Sequence, residues 1–124
     1  MKFYSFVVKG RPVPKARPRV ARGHAYTPQR TKDYEEIVQI AYKNAGGTKF
    51  EGAVVMRISA VYKAPKKSML YHNRTKKPDL DNIAKAIMDG LNGIAYEDDS
   101  QVSFLQVEKF YGEEDVTIIE VSEA

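Results

Sequence analysis

Four aspartates stand in two short segments of this 124-residue chain: Asp79 and Asp81 in KPDLDN, and Asp98 and Asp99 in YEDDSQ. Where a backbone is extended, residues two apart project from one side, so Asp79 and Asp81 can act as a pair. Two crowded carboxylates repel unless one is protonated or a cation bridges them, and a divalent ion relieves that repulsion. Donors that are all oxygen suit Mg2+, with Mn2+ able to substitute. YEDDSQ supplies a third ligand through Asp98 or Asp99, and local chemistry favours neither. The reaction this defines is metal-assisted phosphodiester hydrolysis, in which an ion polarises the phosphate and activates a water. His24 and His72 are isolated in the sequence, so no zinc site is expected.

Blander explanations exist for each acid taken singly. An Asp just before a helix is usually an N-cap, which would account for Asp81. Asp81, Lys85 and Asp89 recur at four-residue spacing and could be only an ion-pair ladder on a wet helix face. Glu97-Asp98-Asp99 could be only a polar turn. Capping leaves Asp79 unused, however. Nor does it explain why the first acids directly follow a run of uncompensated positive charge.

That charge is sorted along the chain. Residues 1–32 carry nine basic side chains and no acid, and residues 63–77 carry six and no acid. From Glu97 onward nine acids face Lys109 alone. The net charge is only +4, yet this sorting predicts a positive face turned to a polyanion. Lys15, Arg17 and Arg19 in the first run, with Lys76 and Lys77 in the second, are the expected holders of DNA backbone phosphates. Tyr71 or His72 could stack on an unpaired base. The chain has no cysteine, which excludes a disulfide framework and fits a cytoplasmic location. No apolar run is long enough to span a bilayer, so no membrane partner is expected.

These groups need elements to position them. Residues 2–8 (KFYSFVV) read as a strand. Three prolines between positions 12 and 18 make GRPVPKARPR an extended basic arm. Thr27 is placed to cap a helix with Pro28 at its first position, and Tyr34, Ile37, Val38, Ala41, Tyr42 and Ala45 follow at helical spacing. Alternation predicts a strand over 53–62 with Val54, Met56, Ile58, Ala60 and Tyr62 on one face. KAPKKSMLYHNRTKKP then reads as a loop, mobile in isolation. A second helix is expected from about Asn82 to Asn92, burying Ile83, Ala86, Ile87, Gly90, Leu91 and Ile94, with Asp81 and Lys85 on its opposite side. A right-handed return would bring YEDDSQ beside the start of that helix. Strands over 102–111 and 116–121 close the chain. The order β-α-β-α-β-β predicts an α+β fold, a mixed sheet with two main helices, in one domain spanning 1–124. So small a chain without covalent staples also gains from dimerisation.

The stretch KPDLDNIAKAIMDGLNGIAYEDDSQV resembles the signature region of the RusA family of Holliday-junction resolvases. That pattern has a D-x-D-N opening a helix, a lysine one turn on, and a D-D-x-Q loop after it. Here these are Asp79, Asp81, Asn82, Lys85, Asp98, Asp99 and Gln101. PVPKARPR followed by YTP is similar to the family's basic N-terminal segment. The resemblance implies a Mg2+-dependent homodimer that resolves four-way DNA junctions by paired symmetric nicks in recombination and repair. It implies Asp79, Asp81 and Asp99 as metal-binding acids and Lys85 as a fourth catalytic residue. Two rival readings are a nuclease of the same fold without junction preference, and a DNA-binding protein that does not cut.

Overall fold

The computed structural model describes residues 1–16, 19–26 and 28–124, without the side chains of Arg19 and Tyr26. Its centre is set by the alternation in AVVMRISAVY. Strand β4 (Val54–Lys63) turns Val54, Met56, Ile58, Ala60 and Tyr62 into the core, all of them buried as expected. Three strands build outward from it: β1 (Phe3–Lys9), β5 (Val102–Gly112) and β6 (Val116–Glu123). The sheet order is β1-β6-β4-β5, with β4 and β5 parallel and the other pairs antiparallel. A parallel neighbour requires a crossover, and helix α2 (Leu80–Gly90) provides it. The result is the mixed-sheet α+β fold that the element order predicted.

Helix α1 (Gln29–Asn44) packs on β1 and on α2, and α2 packs on β5. Burial follows periodicity: α1 hides Thr31, Tyr34, Val38 and Tyr42, and α2 hides Ile83, Ala84, Ala86, Ile87 and Gly90. Gly90 sits where the helices touch. A Cβ there would meet the Cα and carbonyl oxygen of Glu35 at 3.3 Å, so glycine allows the backbones to close. Away from the helices the sheet is open, with Phe3, Val7, Phe104 and Ile118 exposed.

Four differences from expectation have physical causes. Where the basic arm ends, a hairpin follows that was not expected, β2 (Arg19–Ala21) with β3 (His24–Tyr26), turned by Arg22 and Gly23 at positive φ. Helix α1 begins at Gln29 with Pro28 in the capping position, one residue later than predicted, and Thr27 lies outside the described residues. Ile37 is 49% exposed and Ala45 is exposed as well, because α1 buries a narrower stripe than its apolar residues suggest. The loop after β4 is docked rather than free. Tyr71 N–H donates to the Tyr111 carbonyl at 2.8 Å, Tyr111 N–H donates to the His72 carbonyl at 3.0 Å, and Asn73 bridges to Phe110. The loop thereby covers the last turns of the β5 edge, whose backbone groups would otherwise lack partners. The Arg74 guanidinium stacks 4.1 Å over the Tyr62 ring and fastens it further. Among the described residues no helix is long and apolar enough to cross a membrane.

Candidate active site

Asp79 is the residue before α2, with extended backbone (φ −71°, ψ 152°), and Asp81 lies in the first turn. The helix starts two residues earlier than predicted, so the capping position belongs to Asp79 rather than Asp81. Asp79 does not use it: its side chain accepts no capping hydrogen bond. Neither carboxylate is in an ion pair among the described residues, and both residues are exposed.

The chain leading into Asp79 is held by cations from elsewhere. Lys109 of β5 donates from Nζ to the carbonyls of Lys76 and Pro78, each at 2.9 Å. Arg74 donates to the carbonyl between them, that of Lys77, at 2.7 Å. Three successive carbonyls are thus clamped directly ahead of the first aspartate. Sequence reasoning missed Lys109, although its isolation among nine acids was a usable signal. Lys76 and Lys77 themselves project as exposed side chains.

The second acidic segment folds as a 3₁₀ turn, Asp99–Gln101, and here the two aspartates separate. Asp98 is the cap, accepting from Ser100 N–H at 3.0 Å. Hydrogen bonds from Ser100, side chain first and then backbone, hold its carboxyl below the usual carboxylate range. Asp99 has no such employment and remains open. Gln101 locks the turn. Its Oε1 accepts from Glu97 N–H at 2.9 Å and Asp98 N–H at 3.4 Å, while Nε2 donates to the carbonyls of Phe50 and Gly52 at 3.0 Å each. Beneath it, Tyr96 donates to the Met88 carbonyl at 2.8 Å. Its hydroxyl pKa is raised by burial first, then by the charges of Asp99, Asp89 and Asp98. Gln101→Ala is expected to lower unfolding stability by about 1–2 kcal/mol in urea titration, because several hydrogen bonds are lost together. Gln101→Glu should fall in the same direction, since a carboxylate repels the Phe50 and Gly52 carbonyls.

Lys85 does not turn to Asp81. Its ammonium lies 3.5 Å from Asp89, with the side chain 60% exposed and free to reorient. Lys15 was expected to hold a DNA phosphate. In the structure its Nζ bridges Glu35 at 3.1 Å and Asp89 at 3.2 Å, with 15% of the side chain exposed. Burial alone would lower the pKa of this ammonium, but the bonds and charges of both carboxylates outweigh that and raise it. Lys15 N–H also donates to the Asn82 carbonyl at 2.9 Å, fastening the arm to α2. Arg17 lies outside the described residues, and Arg19 opens β2 with its side chain undescribed.

The two acidic segments do not meet within one chain. Asp79 follows Pro78, which is tied to Lys109 near the end of β5, whereas Asp99 precedes Val102 at its start. The seven residue steps from Val102 to Lys109 span about 23 Å of strand. Consistently, no three Asp, Glu or His side chains among the described residues are grouped to hold a metal ion. The expected return beside the helix start fails because α2 and the segment after it carry the chain away from that start before β5 re-enters the sheet.

Comparison with known proteins shows the family. The family model for the endodeoxyribonuclease RusA matches residues 9–122. The chain belongs to that family, a family of endodeoxyribonucleases. Among similar proteins is "Uncharacterized protein YqaN" of Bacillus subtilis (strain 168), 36% identical over 94% of this chain and 96% of its own length. Another is the crossover junction endodeoxyribonuclease rusA of Lactococcus phage r1t, 31% identical over 79% of this chain and 76% of its own.

Proposed function

We propose that this protein is a Mg2+-dependent nuclease that resolves four-way DNA junctions by paired symmetric nicks, acting as a homodimer in the cytoplasm during recombination and repair. The observation that carries the reading is the pair of unengaged carboxylates, Asp79 and Asp81, at a helix start that opens onto uncompensated basic residues. Family membership and the activity for which the phage relative is named support it. Carboxylate oxygens fit a hard divalent cation, and the exposed Asp79 and Asp81 with the half-buried Asp99 would hold Mg2+ or Mn2+. When bound, the ion supplies charge neutralisation at the phosphate and an activated water. The protein's own groups do the rest. The Lys109 and Arg74 clamps orient Asp79, the α2 N-terminus favours a phosphate oxygen, and Lys85 leaves Asp89 to meet charge developing on the phosphate. Lys76 and Lys77 hold flanking backbone, and Arg17 and Arg19 are assigned the same role by their charge. Lys15 acts from behind by fixing the arm to α2.

The distance between the acidic segments is what calls for the dimer. β5 is the edge strand, and from Val102 to Glu108 no strand pairs with its outer side among the described residues. Phe104 and Leu105 lie there 47% and 41% exposed. Two β5 edges paired antiparallel about a two-fold axis near Leu105 would extend the sheet across both chains. Antiparallel pairing sets the start of one β5 beside the end of the other. Each Asp79–Asp81 pair would then lie next to the partner's Asp99. Two such sites related by a two-fold suit a junction cut on two strands.

Incubation with Mg2+ and synthetic four-way, flap and linear substrates tests the activity. The junction is expected to be cut at least about tenfold faster than either control, with nicks at symmetric positions. Equal rates on all three would leave a nuclease without junction preference, and no nicking with any divalent ion would end the enzyme reading.

A further inference from the structure

A cavity of about 350 Å³ opens beside Asp79, lined by Arg11, Lys15, Arg30, Lys77, Asp79 and Asn82, with Pro12 and Pro14 in its wall. Its cations come from three separate places: the arm, the first turn of α1 and the segment before α2. Lys15 is neutralised by Glu35 and Asp89. Arg11, Arg30 and Lys77 are in no ion pair among the described residues. Three unpaired cations against the single carboxylate of Asp79 leave a concave surface with net positive charge. The fold fixes this surface rather than leaving it to flexible side chains alone. Pro12 is buried, Lys15 ties the arm to α2, and Arg11 also lies 5.1 Å over the Tyr62 ring.

We infer that this pocket binds a phosphodiester of the DNA strand adjacent to the one that is cut, gripped by Arg11, Arg30 and Lys77. The inference rests on the nuclease reading given above and deepens it. Guanidinium forks match two phosphate oxygens at once, which an ammonium cannot do. A wall of prolines and a tethered arm presents them with little ordering cost on binding. The pocket shares Asp79 with the candidate metal site, so the bound phosphate lies next to the reacting one and sets the register of the strand. Arg11 and Arg30 therefore join the substrate-binding residues, a role that neither basic sequence run had singled out for them. Lys15, counted earlier among the phosphate holders, instead supports the wall.

A phosphate-by-phosphate scan tests this. Four-way junctions carrying one neutral methylphosphonate at successive positions are bound by the protein in EDTA, where nothing is cut. The unaltered protein is expected to lose about tenfold in affinity at one position neighbouring the mapped nick. Arg30→Gln, an exposed substitution, and Arg11→Gln with it, should bind the unmodified junction several-fold more weakly and show no further loss at that position. Lys43→Gln, at the far end of α1, should keep the full scan profile. If Arg11→Gln disturbs the stack on Tyr62 and unfolds, Arg30→Gln and Lys77→Gln carry the comparison. Variants that still lose tenfold at every phosphate where the unaltered protein does would overturn the inference. So would inorganic phosphate protecting the unaltered protein from thermal unfolding through Arg30 while no scan position couples, since the site would then serve free phosphate. Scan coupling found equally on linear DNA leaves the pocket standing and ends junction preference alone. Junction cleavage with no coupling ends the pocket and leaves the resolvase reading in place.

Discussion

Co-expressing an Asp81→Asn chain with an Asp99→Asn chain is expected to restore cutting that neither chain shows alone. In one chain the segment that leads into Asp79 and Asp81 is tied near the end of β5, whereas Asp99 precedes its start, and no three acids among the described residues are grouped to hold an ion. A site assembled across two copies takes Asp79 and Asp81 from one and Asp99 from the other. The mixed dimer then holds one site with both defects and one with none. Half of a random mixture is mixed dimer, so about a quarter of all sites should work. Their products should be single nicks rather than paired ones, because only one strand per junction meets an intact site. Gel analysis of nicked and fully resolved junctions separates the two. If the mixture stays as inactive as its components, each site lies within a single chain, and a rearrangement of the turn 97–101 must bring Asp99 to α2.

Asp79→Asn should abolish cutting with almost no change in the fold. Removing a metal-binding carboxylate is expected to slow cleavage by about 10³-fold or more, equivalent to roughly 4 kcal/mol of lost transition-state stabilisation. Asparagine serves a helix start as well as aspartate does, and the Asp79 side chain makes no capping bond to lose. Stability should therefore stay within about 0.5 kcal/mol of the unaltered protein in urea unfolding. Junction affinity in EDTA should hold or rise, since a negative charge facing phosphate has been removed. Asp81→Asn and Asp99→Asn should behave alike. Asp98→Asn should keep most of the activity, because Asp98 serves the turn as its cap. Comparable losses at Asp98 and Asp99 would reverse the division of labour between these neighbours. An Asp79→Asn protein that cuts normally would remove the helix start from the mechanism.

Both predictions depend on how differently the residues of the site could be read in advance. The helix stripe of Ile83, Ala86 and Ile87 and the alternation of β4 were legible because burial imposes a period on the sequence. Asp79 stood out because no local explanation used it. Asp98 and Asp99 were indistinguishable, since a cap is defined by which backbone N–H a side chain reaches, and adjacent identical residues carry no mark of that. Lys15 looked the same as the other lysines of its run until Glu35 and Asp89 closed on it from two helices. Lys109 joined the site only because a parallel strand lies beside the segment before α2.

The sequence by itself determined the α+β class, the core faces, the acidic residues and the basic surroundings that suit metal-assisted cutting of DNA. These follow from side-chain chemistry and short-range periodicity, which act over a few residues. Tertiary structure alone decided where the acids lie relative to one another. Asp79 and Asp81 share one end of α2 while Asp99 sits toward the other, because a parallel crossover must carry the chain back to the end of the sheet where the next strand starts. The same long-range packing drew Arg11, Arg30 and Lys77, far apart in the chain, around one cavity beside Asp79.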